Sequence, residues 1–464
     1  MKYRSLCFLA LAVASSALAS EDPIDRIVAE TRAHGQSKAI LMEMTGRFGP
    51  RVTASPALEA AQRWAVQKFL RYGCDTAEMQ KYGEAPVSFQ RGKDCRGGLT
   101  SPYEVDMAFT TPAYTVGTRG DVVGPAVRCP KTLEEAKSKK GQWKGAWILM
   151  PVAVGMRAPR LDKPTEIDSY LDSCGIAGRV YGTTSDEYVW THGKWTDYTI
   201  ENRPKAPLVA INHRDFGLVE YNIDHGRKPQ LHFNIDNHLV DRPTPLYNVV
   251  AEIRGSAAPQ ECVIVCAHQD SWDGPGSQGA MDNGTGSALV LEVARIFGKL
   301  KLRPKRTMRF ILWSGEEQGL LGSTAYSAAH SQELGNIQAM INDDAGQNPY
   351  YLLNVPAQLH PYFRDALRGL ENSYPEYPVK LGVSEEFPNG GSDLRSFLEK
   401  GVPGFALQKT EGPVNYTHIW HTQFDRVDLV NERMVKQCAT YVAGLAYRLA
   451  DMPQRLPRVT NLKK

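Results

Sequence analysis

Beyond about residue 245 the chain alternates short, largely apolar runs, at 248–253, 262–267, 307–313, 337–341 and 404–407, with segments of helical periodicity. Apolar strands without a polar face need cover on both sides. Alternation with helices supplies that cover, and the pattern predicts an α/β fold built on a mixed, mostly parallel sheet with helices on both faces. In such sheets chemistry collects beyond the carboxyl ends of the strands. One helical segment, 285–300, carries apolar residues on more than one side and should be largely buried, and another runs from 58 to 71. Between these two, shorter β-rich runs such as 145–150 and 207–211 lie among polar loops with glycine and proline. They predict a separate strand-rich insertion.

With 464 residues, 42% of them hydrophobic, the chain exceeds what a single core usually fills, in keeping with a main unit and an insertion. Lysine and arginine total 54 against 51 acids. That balance gives no excess of charge that would favour nucleic acid or an acidic membrane as a partner. At the amino terminus Lys2 and Arg4 precede an apolar run over 6–13, followed by Ala17-Leu18-Ala19. This is the pattern of a secretory signal over residues 1–19, which predicts a secreted or periplasmic protein. The apolar run is shorter than the roughly 20 residues that span a bilayer, which argues against a membrane anchor. Eight cysteines include Cys7, leaving seven after cleavage. Cys262 and Cys266, four apart on one strand, stand roughly 13 Å apart and cannot pair with each other. Pairing among Cys74, Cys95, Cys129 and Cys174 stays open.

Metal-ligating residue types gather where the apolar runs stop. His268 follows the run 262–267, and Asp270, two residues on, is placed to reach its imidazole if the chain stays extended. Asp282 lies in the glycine-rich turn 279–286 that opens the helix 285–300, where the backbone can pass close to an ion and a carboxylate can bridge two cations. Asn283 beside it suits a helix cap. Glu316 and Glu317 follow the run 307–313. Adjacent side chains diverge, so one can bind a metal while the other takes a proton from water. Asp343 and Asp344 end the run 337–341, and His421 lies beyond 404–407. Two histidines and a set of carboxylates, with no cysteine required, suit a pair of divalent ions about 3.5 to 4 Å apart.

These motifs, His268-Gln269-Asp270-Ser271-Trp272-Asp273, Gly279-Ala280-Met281-Asp282, Arg303-Pro304-Lys305-Arg306-Thr307, Glu316-Glu317-Gln318-Gly319, Asp344-Ala345-Gly346 and His421-Thr422, resemble those of the zinc aminopeptidase and glutamate carboxypeptidase family. The resemblance is dense over 246–346 and more scattered over 386–428. It implies the zinc exopeptidase fold with an inserted β-rich domain similar to a protease-associated domain at 113–235. The main peptidase part would occupy 236–464 and its amino-terminal part 20–112, with a possible propeptide at the start. It also implies two zinc ions per chain, with Asp282 as the bridge, Glu317 and His421 on one zinc, and His268 and Asp344 on the other. Glu316 becomes the acid/base, Asp270 supports the first histidine, and Ser392, Asp393 and Tyr416 face the substrate. Asp344 is preferred to Asp343 because alanine and glycine follow the ligand in the family motif. A cis peptide at Asp282-Asn283 is implied as well; where the family's nearest members usually carry a second aspartate, this chain has Asn283. The expected activity is hydrolysis of terminal peptide bonds of dipeptides or short peptides, commonly by a homodimer, with no nucleic acid or membrane partner. Two competing readings are a receptor-like protein on the same fold without metal, and a single-zinc glutaminyl cyclase. Asn-x-Thr patterns at Asn283 and Asn415 fall inside the proposed site motifs and are read as coincidence.

Overall fold

A computed structural model describes residues 22–151, 164–196, 200, 203–371, 373–387 and 391–458. The predicted signal segment, 1–19, lies outside the described residues. Six strands form the main sheet: β1 (Thr76–Ala85), β2 (Thr244–Ile253), β3 (Ala258–His268), β4 (Arg306–Trp313), β5 (Ile337–Asn342) and β6 (Gly404–Phe405), in the order β1-β2-β4-β3-β5-β6. The pairings β4/β3, β3/β5 and β5/β6 are parallel, whereas β1/β2 and β2/β4 are antiparallel. Parallel strands of this kind need both faces covered. Side-chain alternation along β4 shows how that is met. Phe310 packs on Phe69 of the helix Pro56–Arg71 and on Phe297 of the helix Thr285–Leu300. Trp313, of opposite parity, packs on Tyr326 of the helix Leu321–Ala329 and on Phe397. The fold is therefore α/β with helices on both faces. The helix Thr285–Leu300 is buried from Thr285 through Phe297, as its apolar residues on more than one side require.

A second sheet of eight strands has its own core, which includes Leu99, Trp147, Val209 and Phe233. It gathers strands from Arg96–Ser101 to Gln230–Asn234, so it begins well before residue 113. The early members, Arg96–Ser101, Val105–Asp106 and Phe109–Thr110, are too short and too rich in glycine or polar residues to show an alternation in sequence. Its central strands Asp121–Arg128, Trp147–Leu149, Gly178–Gly182 and Leu208–Ile211 pair in parallel, and the first two connections carry the helices Leu133–Ser138 and Glu166–Ser173. A ribbon of Ser88–Arg91 with Asn237–Val240 lies where the chain leaves and re-enters the main unit. Among the described residues no helix is long and apolar enough to cross a membrane.

Candidate metal centre

Each sequence-predicted donor sits at the carboxyl edge of the main sheet or in a loop folded over it. β3 ends on His268; β4 ends on Trp313, and a turn through Gly315 at φ +74° carries the chain to Glu316 and Glu317. β5 ends on Asn342, just before Asp343 and Asp344. Asp282 lies in the turn before Thr285–Leu300, and its peptide bond to Asn283 is cis. His421 follows the short helix Tyr416–Ile419.

These side chains converge. The His268 Nδ1–H donates to the Asp270 carbonyl oxygen at 2.9 Å, an acceptor that fixes the tautomer. Its Nε2 then offers a lone pair, and that lone pair faces Asp344 Oδ1 at 3.2 Å and Asp282 Oδ1 at 3.3 Å. His421 Nε2 lies 3.2 Å from Asp282 Oδ2 and 3.1 Å from Glu317 Oε2. Asp282 thus presents one oxygen to each histidine. The ligand atoms of His268, Asp282 and Asp344 lie within 4.8 Å of one another, as do those of Asp282, Glu317 and His421. Lone pairs facing carboxylate oxygens repel unless a cation lies between them. Glu317 Oε1 is moreover buried without a hydrogen-bond donor. So many poorly hydrated acceptors around two imidazoles fit divalent cations and fit little else.

The protein by itself can supply only protons to this field. Burial disfavours the charged imidazole of His421, yet the neighbouring Glu317 and Asp282 outweigh it and push it up to about 10. In His268 burial is likewise outweighed, here by Asp344 first, and the group rises well above its usual range. Burial lifts Glu316 well above the ordinary carboxylate range; Asp344 and Glu317 add to the rise while His268 opposes it. A glutamate beside a metal site with such a raised affinity for protons is suited to proton transfer.

The surroundings include groups that sequence reasoning missed. The nearer Asp270 carboxylate oxygen lies 3.7 Å from His268 Nδ1, within ion-pair reach but beyond a hydrogen bond. The strand ends at His268, and the Asp270 backbone carbonyl makes the closer contact. The Asp270 carboxylate accepts from the Thr53 hydroxyl at 2.7 Å and lies 3.4 Å from the amides of both Glu316 and Glu317. It thereby steadies the loop that carries them. Asp425, four residues after His421, accepts from the amides of Met281 at 2.5 Å and Asp282 at 3.3 Å. The Trp272 indole donates to Glu317 Oε2 at 2.7 Å. Arg51 is fully buried and donates to the carbonyls of Gln269 and Gly279, joining the two loops that hold His268 and Asp282. Gly279 is at φ +58°, and a Cβ there would fall 2.1 Å from the Ser271 hydroxyl oxygen.

Adjacent residues of like type separate clearly. Asp343 is paired with buried Lys409 at 2.7 Å, and Asp344 with His268. Asn283 donates to the Asp343 carbonyl at 2.7 Å and accepts from the Gly286 amide at 3.0 Å, so it both caps the helix and ties it to β5. An aspartate could not make the first of these bonds without a proton. Of the expected substrate-facing residues, Tyr416 lies over Gly346, where an added Cβ would come within 2.8 Å of its ring. The Ser392 hydroxyl accepts from Asn342 at 3.3 Å. Asp393 exposes no surface.

The peptidase family M28 model matches residues 248–446, the stretch that holds all of these donors. Carboxypeptidase Q of Mus musculus is 31% identical over 413 residues, 88% of this chain and 84% of the mouse protein. Among solved structures, the peptidase M28 precursor from Shewanella amazonensis superimposes with a TM-score of 0.69 at 23% identity, covering 94% of this chain and 98% of that one. The zinc aminopeptidase of Bacillus subtilis superimposes with a TM-score of 0.56 at 18% identity, covering 90% and 97%. At such identities the structural likenesses speak for the fold, and the sequence relatives carry the family. The chain belongs to peptidase family M28 and is a metallopeptidase.

Proposed function

We propose that the protein is a secreted exopeptidase that holds two zinc ions and hydrolyses the terminal peptide bond of dipeptides or short peptides. The observation that carries this reading is the paired arrangement in which Asp282 turns one oxygen to His268 and the other to His421. His268 and Asp344 would hold one ion, Glu317 and His421 the other, with Asp282 between them. The zinc named for the Bacillus subtilis aminopeptidase supports the choice of metal. When bound, zinc supplies Lewis acidity to the scissile carbonyl and to the attacking water. Glu316 takes the proton from that water and returns it to the departing amine. The Trp272 indole holds Glu317, and the Asp270 carboxylate holds the loop on which Glu316 stands. Secretion rests on the signal pattern at residues 1–19.

Zinc content after dialysis tests the count. Two ions per chain are expected; one would favour the cyclase-like reading and none the receptor-like one. Hydrolysis of free, amino-blocked and carboxyl-blocked dipeptides then identifies the end recognised. Equal indifference to both blocks would overturn exopeptidase action.

A further inference from the structure

The family match begins at residue 248, yet a segment that precedes it by more than fifty residues touches the metal centre. Residues 187–195 run across the loop that bears His421. The Thr191 amide donates to the His421 carbonyl at 2.7 Å, and Trp190 forms an antiparallel bridge with Thr422. The Gln423 side chain clasps the same segment from its carboxyl side: its Oε1 accepts from the Val189 amide at 3.1 Å and its Nε2 donates to the Glu187 carbonyl at 3.3 Å. Farther along, Gln318, next to Glu317, donates to the Gly193 carbonyl at 3.1 Å. The outer edge of the segment is fixed too, because the Ala113 amide donates to the His192 carbonyl at 2.9 Å and the Thr110 and Thr191 hydroxyls meet at 2.6 Å.

We propose that residues 187–195 act as a positioning strap for one half of the metal pair, holding the His421 loop and the Glu317 loop together so that both donors reach the same ion. The inference rests on the two-metal reading above. His421 adopts φ +59°, a left-handed conformation that residues other than glycine rarely take and that persists only where surrounding contacts enforce it. The bond from Thr191 falls on that very residue. Gln318 and Gln423 place the strap against both donor loops at once, whereas His268 and Asp344 are held by β3, β5 and the Asp270 carbonyl. Loosening the strap should therefore weaken one ion and spare the other. Contacts behind metal ligands commonly change affinity by about 10-fold to 100-fold.

Two substitutions loosen it without altering a donor. Gln423→Leu keeps the bulk of the side chain and removes both of its bonds to the strap. Gly193→Ala adds a Cβ that would lie 2.6 Å from the Ala113 carbonyl oxygen, at φ +150°, and so displaces the strap from its outer support. Zinc per chain is measured after dialysis against a series of zinc buffers, alongside thermal melting of the chelated proteins. Both variants should hold one ion at its wild-type affinity and release the other at roughly tenfold or higher free zinc. Wild-type affinities for both ions in both variants would overturn the strap and leave the two-metal reading standing. Parallel weakening of both ions, together with a lower melting temperature, would assign the segment a general structural role and equally overturn the proposal. A wild-type protein that holds fewer than two ions would bring down the two-metal reading itself, and the strap with it.

Discussion

Zinc entering the metal-free protein should expel protons, in a number that the electrostatics of the centre dictate. At pH 7 the His421 imidazole, pushed up to about 10, and the His268 imidazole, raised well above its usual range, both carry a proton. A metal takes only the neutral ring, so both protons must leave. For His421 the gap from pH 7 to about 10 corresponds to about 4 kcal/mol, or roughly a thousandfold in apparent affinity, at about 1.36 kcal/mol per pH unit. Apparent zinc affinity should therefore climb about tenfold per pH unit between pH 7 and 10 on account of this residue alone. Calorimetric zinc titrations in buffers of different ionisation enthalpy count the protons directly. At least about two per pair of zinc ions are expected at pH 7, and any proton held by Glu316, whose affinity for it burial raises, adds to the total. The same shift has a consequence for stability. A histidine raised in the fold stabilises it fully below its unfolded value of about 6.5 and ceases to do so as pH rises through its folded value. The melting temperature of the chelated protein should thus fall between pH 7 and 10, while that of the zinc-loaded protein holds. Release of fewer than one proton, or a flat affinity profile, would mean that the carboxylates do not face the imidazoles as the geometry has them.

Glu316→Gln should retain both metals and lose most turnover, typically a factor of about 100 to 10,000 for a lost general base; near-normal activity would remove Glu316 from this role. Lys409→Met leaves the buried Asp343 carboxylate without its ion-pair partner, and breaking such a pair by removing one side costs about 3–5 kcal/mol. Chemical denaturation should show a loss of that order, and an unchanged midpoint would show the pair to be dispensable. Trp272→Phe keeps the ring and removes the indole donor to Glu317, so zinc affinity should fall about 10-fold or more as measured by competition with a chelator. No change would mean that Glu317 is held by its other contacts.

The amino-acid sequence by itself determined which strand ends carry chemistry, because that information is local. The run 262–267 is apolar and short, so it becomes a covered strand, and the chain must surface at His268; the same reasoning delivers Glu316 and Glu317 after β4 and Asp344 after β5. Burial of the helix Thr285–Leu300 was legible for the same reason, since apolar residues on several sides leave no face for water. Tertiary structure alone decided matters of direction and of distant partnership. Asp343 and Asp344 are identical side chains one residue apart, and what separates them physically is Lys409, 66 positions later, which neutralises the first and leaves the second for His268. Asp270 turns its carbonyl to the imidazole and its carboxylate to Thr53 because the strand stops two residues earlier. The bond from Thr191 to His421 joins loops 230 residues apart in the chain. Periodicity records how a segment meets water, whereas contacts of that range depend on how whole layers are placed against one another, which no short stretch of sequence encodes.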